Sequence, residues 1–165
     1  MRIRKRTIKA YDVIAKAIEL LGPKGQYWMT GDEHAKQGDE GQDTYCMVGA
    51  LDEAVAVLGA NEETEQKAFV MVGEQVIKER SWHSYDLSTV TRDEYTGQFT
   101  SNLDEAAGRA RDLIPDFNDA LPNEETTYET RDGAEHFKHS RRPKGFTQVK
   151  KVFCKALRKT VAKNI

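Results

Sequence analysis

Long apolar runs are missing from this chain: no stretch approaches the roughly 20 residues that a helix needs to cross a bilayer. A signal peptide's apolar segment is missing too, because alternating polar residues follow the basic start Met1-Arg2-Ile3-Arg4-Lys5-Arg6. These two absences lead us to expect a soluble, cytoplasmic protein with no membrane partner. Cysteine is scarce. Cys46 and Cys154 permit one disulfide, and in a chain without an export signal both are expected to be reduced thiols. The common nucleotide and hydrolase signatures are absent: there is no Walker lysine loop, no Gly-x-Gly-x-x-Gly and no Gly-x-Ser-x-Gly. The acidic run Asp39-Glu40-Gly41-Gln42-Asp43 departs from the EF-hand ligand order, and the two cysteines and four histidines lack zinc-ligand spacing. We therefore expect no metal and no cofactor.

Acidic residues are absent from one particular region. His136 to Ile165 carries ten Lys or Arg and no Asp or Glu, and the first six residues add four more basic side chains. Thr7 to Glu135 then holds 27 acidic and 11 basic residues, so the formal net charge of −2 conceals two opposed fields. Such segregation points to an acidic body, a basic helix and an electrostatic partner. At 165 residues, with 38% hydrophobic and 32% charged residues, the chain suits one domain with a real core and a charged surface.

Hydrophobic periodicity predicts a mainly α fold, a single helical domain (1–165) of about five helices, with room for a short β-hairpin around Gln26 to Thr44. Ile8, Tyr11, Ile14, Ile18 and Leu21 recur at helical spacing over Thr7 to Leu21, with Asp12 and Lys16 as an i,i+4 pair outside and Gly22-Pro23 as the stop. Gln26 to Thr30 reads as a short strand and Gly31 to Gln42 as a polar loop or hairpin tip. A second helix is expected to begin around Thr44 to Cys46, burying Met47, Ala50, Leu51, Ala54, Val55 and Leu58 and ending at Gly59. Asn61 then caps a third helix running to about Glu79, with Glu62, Glu63 and Glu65 at the positive end of its dipole and Phe69, Val72 and Val76 in the core. Ser81 to Ser101 has no clear period. Leu103 to Ile114 reads as a helix stopped by Pro115, and 122–144 as an irregular insertion that is acidic first and basic later. The segment 147–163 is expected to be a basic amphipathic helix, with Val149, Val152, Phe153, Ala156, Leu157 and Val161 on one face.

Three short motifs follow one another: Trp28-Met29-Thr30-Gly31, then Cys46-Met47-Val48-Gly49-Ala50-Leu51, then Phe117-Asn118-Asp119-Ala120 ahead of the helix at Phe146-Thr147-Gln148-Val149. This order resembles an uncharacterised family of small actinobacterial and bacteriophage proteins. That family's pattern is a Trp-containing segment, Cys-x-x-Gly-Ala-Leu, Trp-Asn-Asp and a Thr-started helix. Phe117 stands where the family usually has Trp, and the likeness covers about half the chain. The resemblance implies a phage or actinobacterial source and supplies no activity.

Cys46 is the sharpest chemical candidate. In the first turn of a helix the dipole stabilises a thiolate, and a His base with an Asn or Asp orienter would complete a papain-like nucleophile. Asn118 or Asp119 could orient; His34, His83, His136 and His139 are the possible bases, and the sequence selects none. The plainer reading makes Cys46 a small buried residue beside Gly49 and Ala50. Likewise Asn118-Asp119, after Pro115, reads first as an Asx-turn or cap, and second as a polar ligand site near Trp28 and Phe117. Cys154 reads as a spectator beside the lysines. Arg141, Arg142, Lys144, Lys150, Lys151, Lys155, Arg158 and Lys159 supply charge that could lie on a phosphate backbone, or form an ordinary solvated face.

Three functions compete on these grounds. The leading one is a non-enzymatic accessory protein, encoded by a phage, that binds a host or phage protein or nucleic acid. The second is a hydrolase or transferase using Cys46. The third, a minor one, is an acidic DNA mimic. The sequence leaves the partner and the oligomeric state open.

Overall fold

The computed structural model describes residues 5–31, 34–35, 43–82, 84–122, 125–129, 135–139 and 144–165. Over these the fold is mainly α, a single domain of five helices with three small antiparallel ladders.

Helix α1 spans Ala10–Leu21, starting three residues later than the periodicity suggested. The Asp12 carboxylate accepts the Lys9 amide at 2.9 Å and so caps the entry. Its buried stripe is Ala10, Val13, Ile14, Ala17 and Leu21, while Ile8 and Ile18 pack at the edge and Tyr11 is half-buried. Small residues bring this stripe close to its neighbours, which the large apolar residues alone did not reveal. The expected Asp12–Lys16 pair does not form. Arg6 takes Asp12 at 2.8 Å and Lys16 takes Glu19 at 3.1 Å.

After α1 the chain turns back. Instead of a strand over Gln26 to Thr30, a single parallel bridge joins Trp28 to Tyr45, held by Met29 N–H to Tyr45 O at 2.9 Å and Tyr45 N–H to Tyr27 O at 2.8 Å. Strand β1 (His34–Ala35) pairs with β2 (Thr44–Tyr45), which leads directly into α2, Met47–Leu58. Gly59 ends α2, and Asn61 caps α3 (Glu62–Arg80) by accepting the Thr64 amide at 2.9 Å, as its residue type and position predicted.

The stretch after α3 resolves into a hairpin of β3 (Val90–Arg92) and β4 (Phe99–Ser101), exposed on both faces. Helix α4 follows as Leu103–Asp119 and does not stop at Pro115. Proline removes an amide donor and crowds the preceding turn, a penalty of about 3 kcal/mol in a helix interior. Here Leu113, Ile114, Phe117 and Asn118 are all essentially buried, and that packing carries the helix onward for one more turn. Strand β5 (Glu125–Glu129) pairs antiparallel with β6 (Glu135–His139), so part of the segment read as irregular is a ladder.

Helix α5 spans Phe146–Lys163. Its buried stripe is Phe146, Val149, Val152, Phe153, Ala156 and Thr160, with Leu157 at the margin. Val161 lies outside the stripe and is 55% exposed; the inward position belongs to Thr160, whose hydroxyl donates to the Ala156 carbonyl at 2.9 Å. The core forms where α3 packs on α4 and α5 while α1 packs on α2, α5 and α3. Close approach of α3 and α4 depends on Gly73: a Cβ there would lie 2.8 Å from the Leu87 side chain and 2.9 Å from Ala110 Cβ. No helix of the described residues is long and apolar enough to cross a membrane.

Candidate functional site

The motif residues converge on one side chain, Asn118, which is fully buried near the end of α4. Its Oδ1 accepts the Trp28 indole N–H at 2.8 Å and the Met47 amide, the first residue of α2, at 3.1 Å. Its Nδ2 donates to the Met29 carbonyl at 3.2 Å and to Asp119 Oδ1 at 3.1 Å. Asp119 in turn accepts the Gly31 amide at 2.9 Å. An amide has two acceptor lone pairs and two N–H donors, and Asn118 uses all four. The three motifs are thus physically one unit. Asn118 and Asp119 lie on the last helical turn and tie it to the Trp28 segment and to α2. Asn118 forms neither an Asx-turn nor a cradle for an outside ligand, because its four positions are taken by the chain's own groups, while Asp119 stays exposed.

Trp28 is 1% exposed and Phe117 is 0% exposed, so neither offers a face to a ligand. The Trp28 ring is tilted against Phe146 with centroids 6.4 Å apart. Gly145 lies against the same ring, where a Cβ would come within 2.8 Å of its edge and 2.9 Å of Leu121 Cβ. The Arg80 guanidinium stands over the Phe117 ring at 5.1 Å, a cation–π contact.

Cys46 is the N-cap of α2, one residue before the helical run where the sequence placed it, and is 3% exposed. Its sulfur accepts the Gly49 amide at 3.4 Å, the position where a serine or asparagine oxygen would usually sit. Asn118 does not orient a base here; it binds the Met47 amide next to Cys46. Beside it, burial first, then the Asp43 and Glu53 carboxylates, push the Tyr45 phenol above its usual range. The four candidate bases fall outside the described residues in whole (His83) or as side chains (His34, His136 and His139). Among the described residues no group of three or more His, Cys, Asp or Glu could hold a metal ion.

The basic segment behaves differently from the motif cluster. Lys150, Lys151, Lys155 and Arg158 project from α5 as exposed side chains. Lys151 reaches Glu79 of α3 at 3.1 Å. Lys150, Lys155 and Arg158 make no ion pair among the described residues. Lys159 is half-buried, turned toward α3, where contact with the Lys78 ammonium and burial hold it below the usual lysine range. Lys163 adds to that depression and Glu74 opposes it. Arg141 and Arg142 lie outside the described residues, and Cys154 is half-buried on α5.

Lys78 and Tyr85 were not singled out by the sequence. Nothing local distinguishes them, because their surroundings are assembled from α3, α5 and the loop that follows α3. By class, then, the molecule is a five-helix domain with a saturated polar node inside and a basic helix face outside. No protein-family model matches the chain, and none of the curated proteins or solved structures compared with it is similar.

Proposed function

We propose that this is a small, non-enzymatic accessory protein that binds an acidic or polyanionic macromolecule, of host or phage origin, through the outer face of α5. The observation that carries the reading is that Lys150, Lys155 and Arg158 are exposed on a helix without a single acid and without ion-pair partners among the described residues. A fold that needed these charges for itself would have paired them with its acidic body, as it does Lys151 with Glu79. Unpaired charges of one sign on one face favour fast, salt-sensitive association with an opposite field. The motif order that resembles actinobacterial and bacteriophage proteins supports a phage source. The saturated state of Asn118 and the burial of Cys46 favour a structural duty for the motifs over a catalytic one.

The test is retention of the purified protein on immobilised nucleic acid and on immobilised host and phage lysate at low salt. The wild type should be retained and released as salt screens the contacts over the Debye length, about 8 Å at physiological ionic strength. A Lys150→Glu/Lys155→Glu/Arg158→Glu variant should fold normally and pass through. A wild type that binds nothing on either matrix would sink the reading.

A further inference from the structure

A groove of about 610 Å³ runs between the outer side of α3 and the segment leading to β3, with Lys78, Ile77 and Glu74 on one wall and Tyr85, Ser88 and Val90 on the other. Lys78 belongs to two neighbourhoods. It lines this groove, and it meets Lys159 of α5, beside which Lys163 also stands. The groove therefore lies beside the lysines of α5 that are near α3. Three ammonium groups, Lys78, Lys159 and Lys163, outnumber the two carboxylates of the groove wall, Glu74 and Asp86, and make a place that favours a bound anion. That Lys159 is held below the usual lysine range by Lys78 agrees with this.

The far wall supplies a flat ring. Tyr85 is 44% exposed, and its ring leans on Trp82 with centroids 5.7 Å apart, so it is oriented rather than free to swing. Beyond the groove the β3–β4 hairpin continues the same surface. Phe99 is 72% exposed with the Arg92 guanidinium 5.8 Å above its ring, and Tyr95 at the tip is 99% exposed. The tip is built, not loose: the Asp93 carboxylate accepts the Tyr95 amide at 2.7 Å and the Thr96 amide at 3.1 Å. The groove's other carboxylate, Asp86, is occupied by the Ser88 amide at 2.8 Å and by the Ser88 hydroxyl.

Basic side chains that follow a backbone, with exposed aromatic rings set beside them, match the recognition of unpaired nucleic acid, whose bases can leave a stack. A duplex keeps its bases paired inside and gives a lone tyrosine ring nothing to stack on. We propose that the groove binds single-stranded nucleic acid, with phosphates on Lys78, Lys159 and Lys163, a base on the Tyr85 ring, and the strand leaving over Phe99 and Arg92. This rests on the α5 reading above and names the partner class for it.

The experiment is fluorescence anisotropy of the full chain with labelled oligothymidylate and oligouridylate of roughly a dozen nucleotides, against a duplex of equal length. Single strands should bind more tightly than the duplex, and the two single strands together separate DNA from RNA as the source. Tyr85→Ala should weaken single-strand binding by roughly 5- to 140-fold, the equivalent of one base stacked, while Tyr85→Phe retains it. Lys78→Gln/Lys159→Gln/Lys163→Gln should lower the slope of log affinity against log salt by about two. Circular dichroism and urea midpoints of each variant separate folding from binding. Equal binding of duplex and single strand, unchanged by Tyr85→Ala but abolished by the α5 charge reversal, overturns the groove and leaves the α5 reading standing. No nucleic-acid binding, with charge-dependent capture of a lysate protein, does the same. Binding indifferent to both sets of variants overturns both.

Discussion

Asn118 occupies every hydrogen-bonding position of its amide at a site sealed from water, and that makes it costly to replace. Asn118→Leu keeps the volume but leaves the Trp28 indole N–H, the Met47 amide and the Met29 carbonyl without their partner. Each buried group left unpaired costs about 1–3 kcal/mol, part of which relaxation recovers, so a loss of about 3 kcal/mol is expected from urea unfolding followed by Trp fluorescence. Because the Met47 amide anchors the start of α2, the same variant should expose the Cys46 thiol. In a Cys154→Ser background, alkylation of Cys46 should be slow in the otherwise native protein and much faster in Asn118→Leu. Equal labelling rates would mean that the node does not hold the helix start. The sequence brought Trp28, Cys46 and Asn118 together as neighbouring motifs, yet not as hydrogen-bond partners. Asn118 and Trp28 are 90 residues apart, and only the closed fold decides whether a short polar side chain serves a local turn or a distant indole. Asn61, by contrast, was legible, because its partner is the amide three residues on.

At the scale of elements, a single arginine ties three helices. Arg111 of α4 donates to Asp52 of α2 at 2.7 and 3.3 Å and also to Glu65 of α3, while its guanidinium covers the Phe69 ring at 4.0 Å. The carboxylates hold the guanidinium even more firmly protonated than usual, with the hydrogen bonds to Asp52 as the leading cause and burial opposing. The side chain is 37% exposed, so solvent screens much of the attraction. Arg111→Met should therefore cost about 1–2 kcal/mol rather than the larger loss of a fully buried pair. Arg111→Lys should recover little, because an ammonium lacks the planar fork that reaches both acids. Urea midpoints at low and high salt check this: the wild type should lose stability as salt rises while Arg111→Met loses less. Four of the five helices could be placed from hydrophobic spacing and caps, because those signals are local. The fourth was cut short at Pro115, where tertiary burial of Phe117 and Asn118 outweighs proline's local penalty. The hairpin of β3 and β4 was not legible, since both of its faces are exposed and no alternation of polar and apolar residues marks it.

At the scale of the whole molecule, packing pairs some opposite charges and leaves some like charges beside each other. Lys151 meets Glu79, whereas Lys159 meets Lys78. The second arrangement has a consequence for stability against pH. The folded-state pKa of Lys159 lies below its ordinary value of 10.5, with Lys78 and burial as causes, Glu74 opposing and Lys163 adding. Below that folded value the ammonium is present in both states, and the native chain alone bears the repulsion. Between the folded value and 10.5 the unfolded chain binds more protons, so stability rises with pH across that window. Lys159→Gln removes the repulsion. At pH 7 it should be at least as stable as the wild type, and the gap should close as pH climbs toward 10.5. Paired urea titrations across that range isolate the effect, since the difference between the two proteins cancels the other titrating groups. A short single-stranded oligonucleotide should stabilise the wild type more than Lys159→Gln, because the anion neutralises a repulsion that only the wild type carries. A Lys159→Gln variant that is less stable at neutral pH, with a deficit that holds up to 10.5 and shrinks only above it as the ammonium deprotonates, would mean that Lys159 serves the fold through Glu74. The like-charge contact would then be no argument for a bound phosphate.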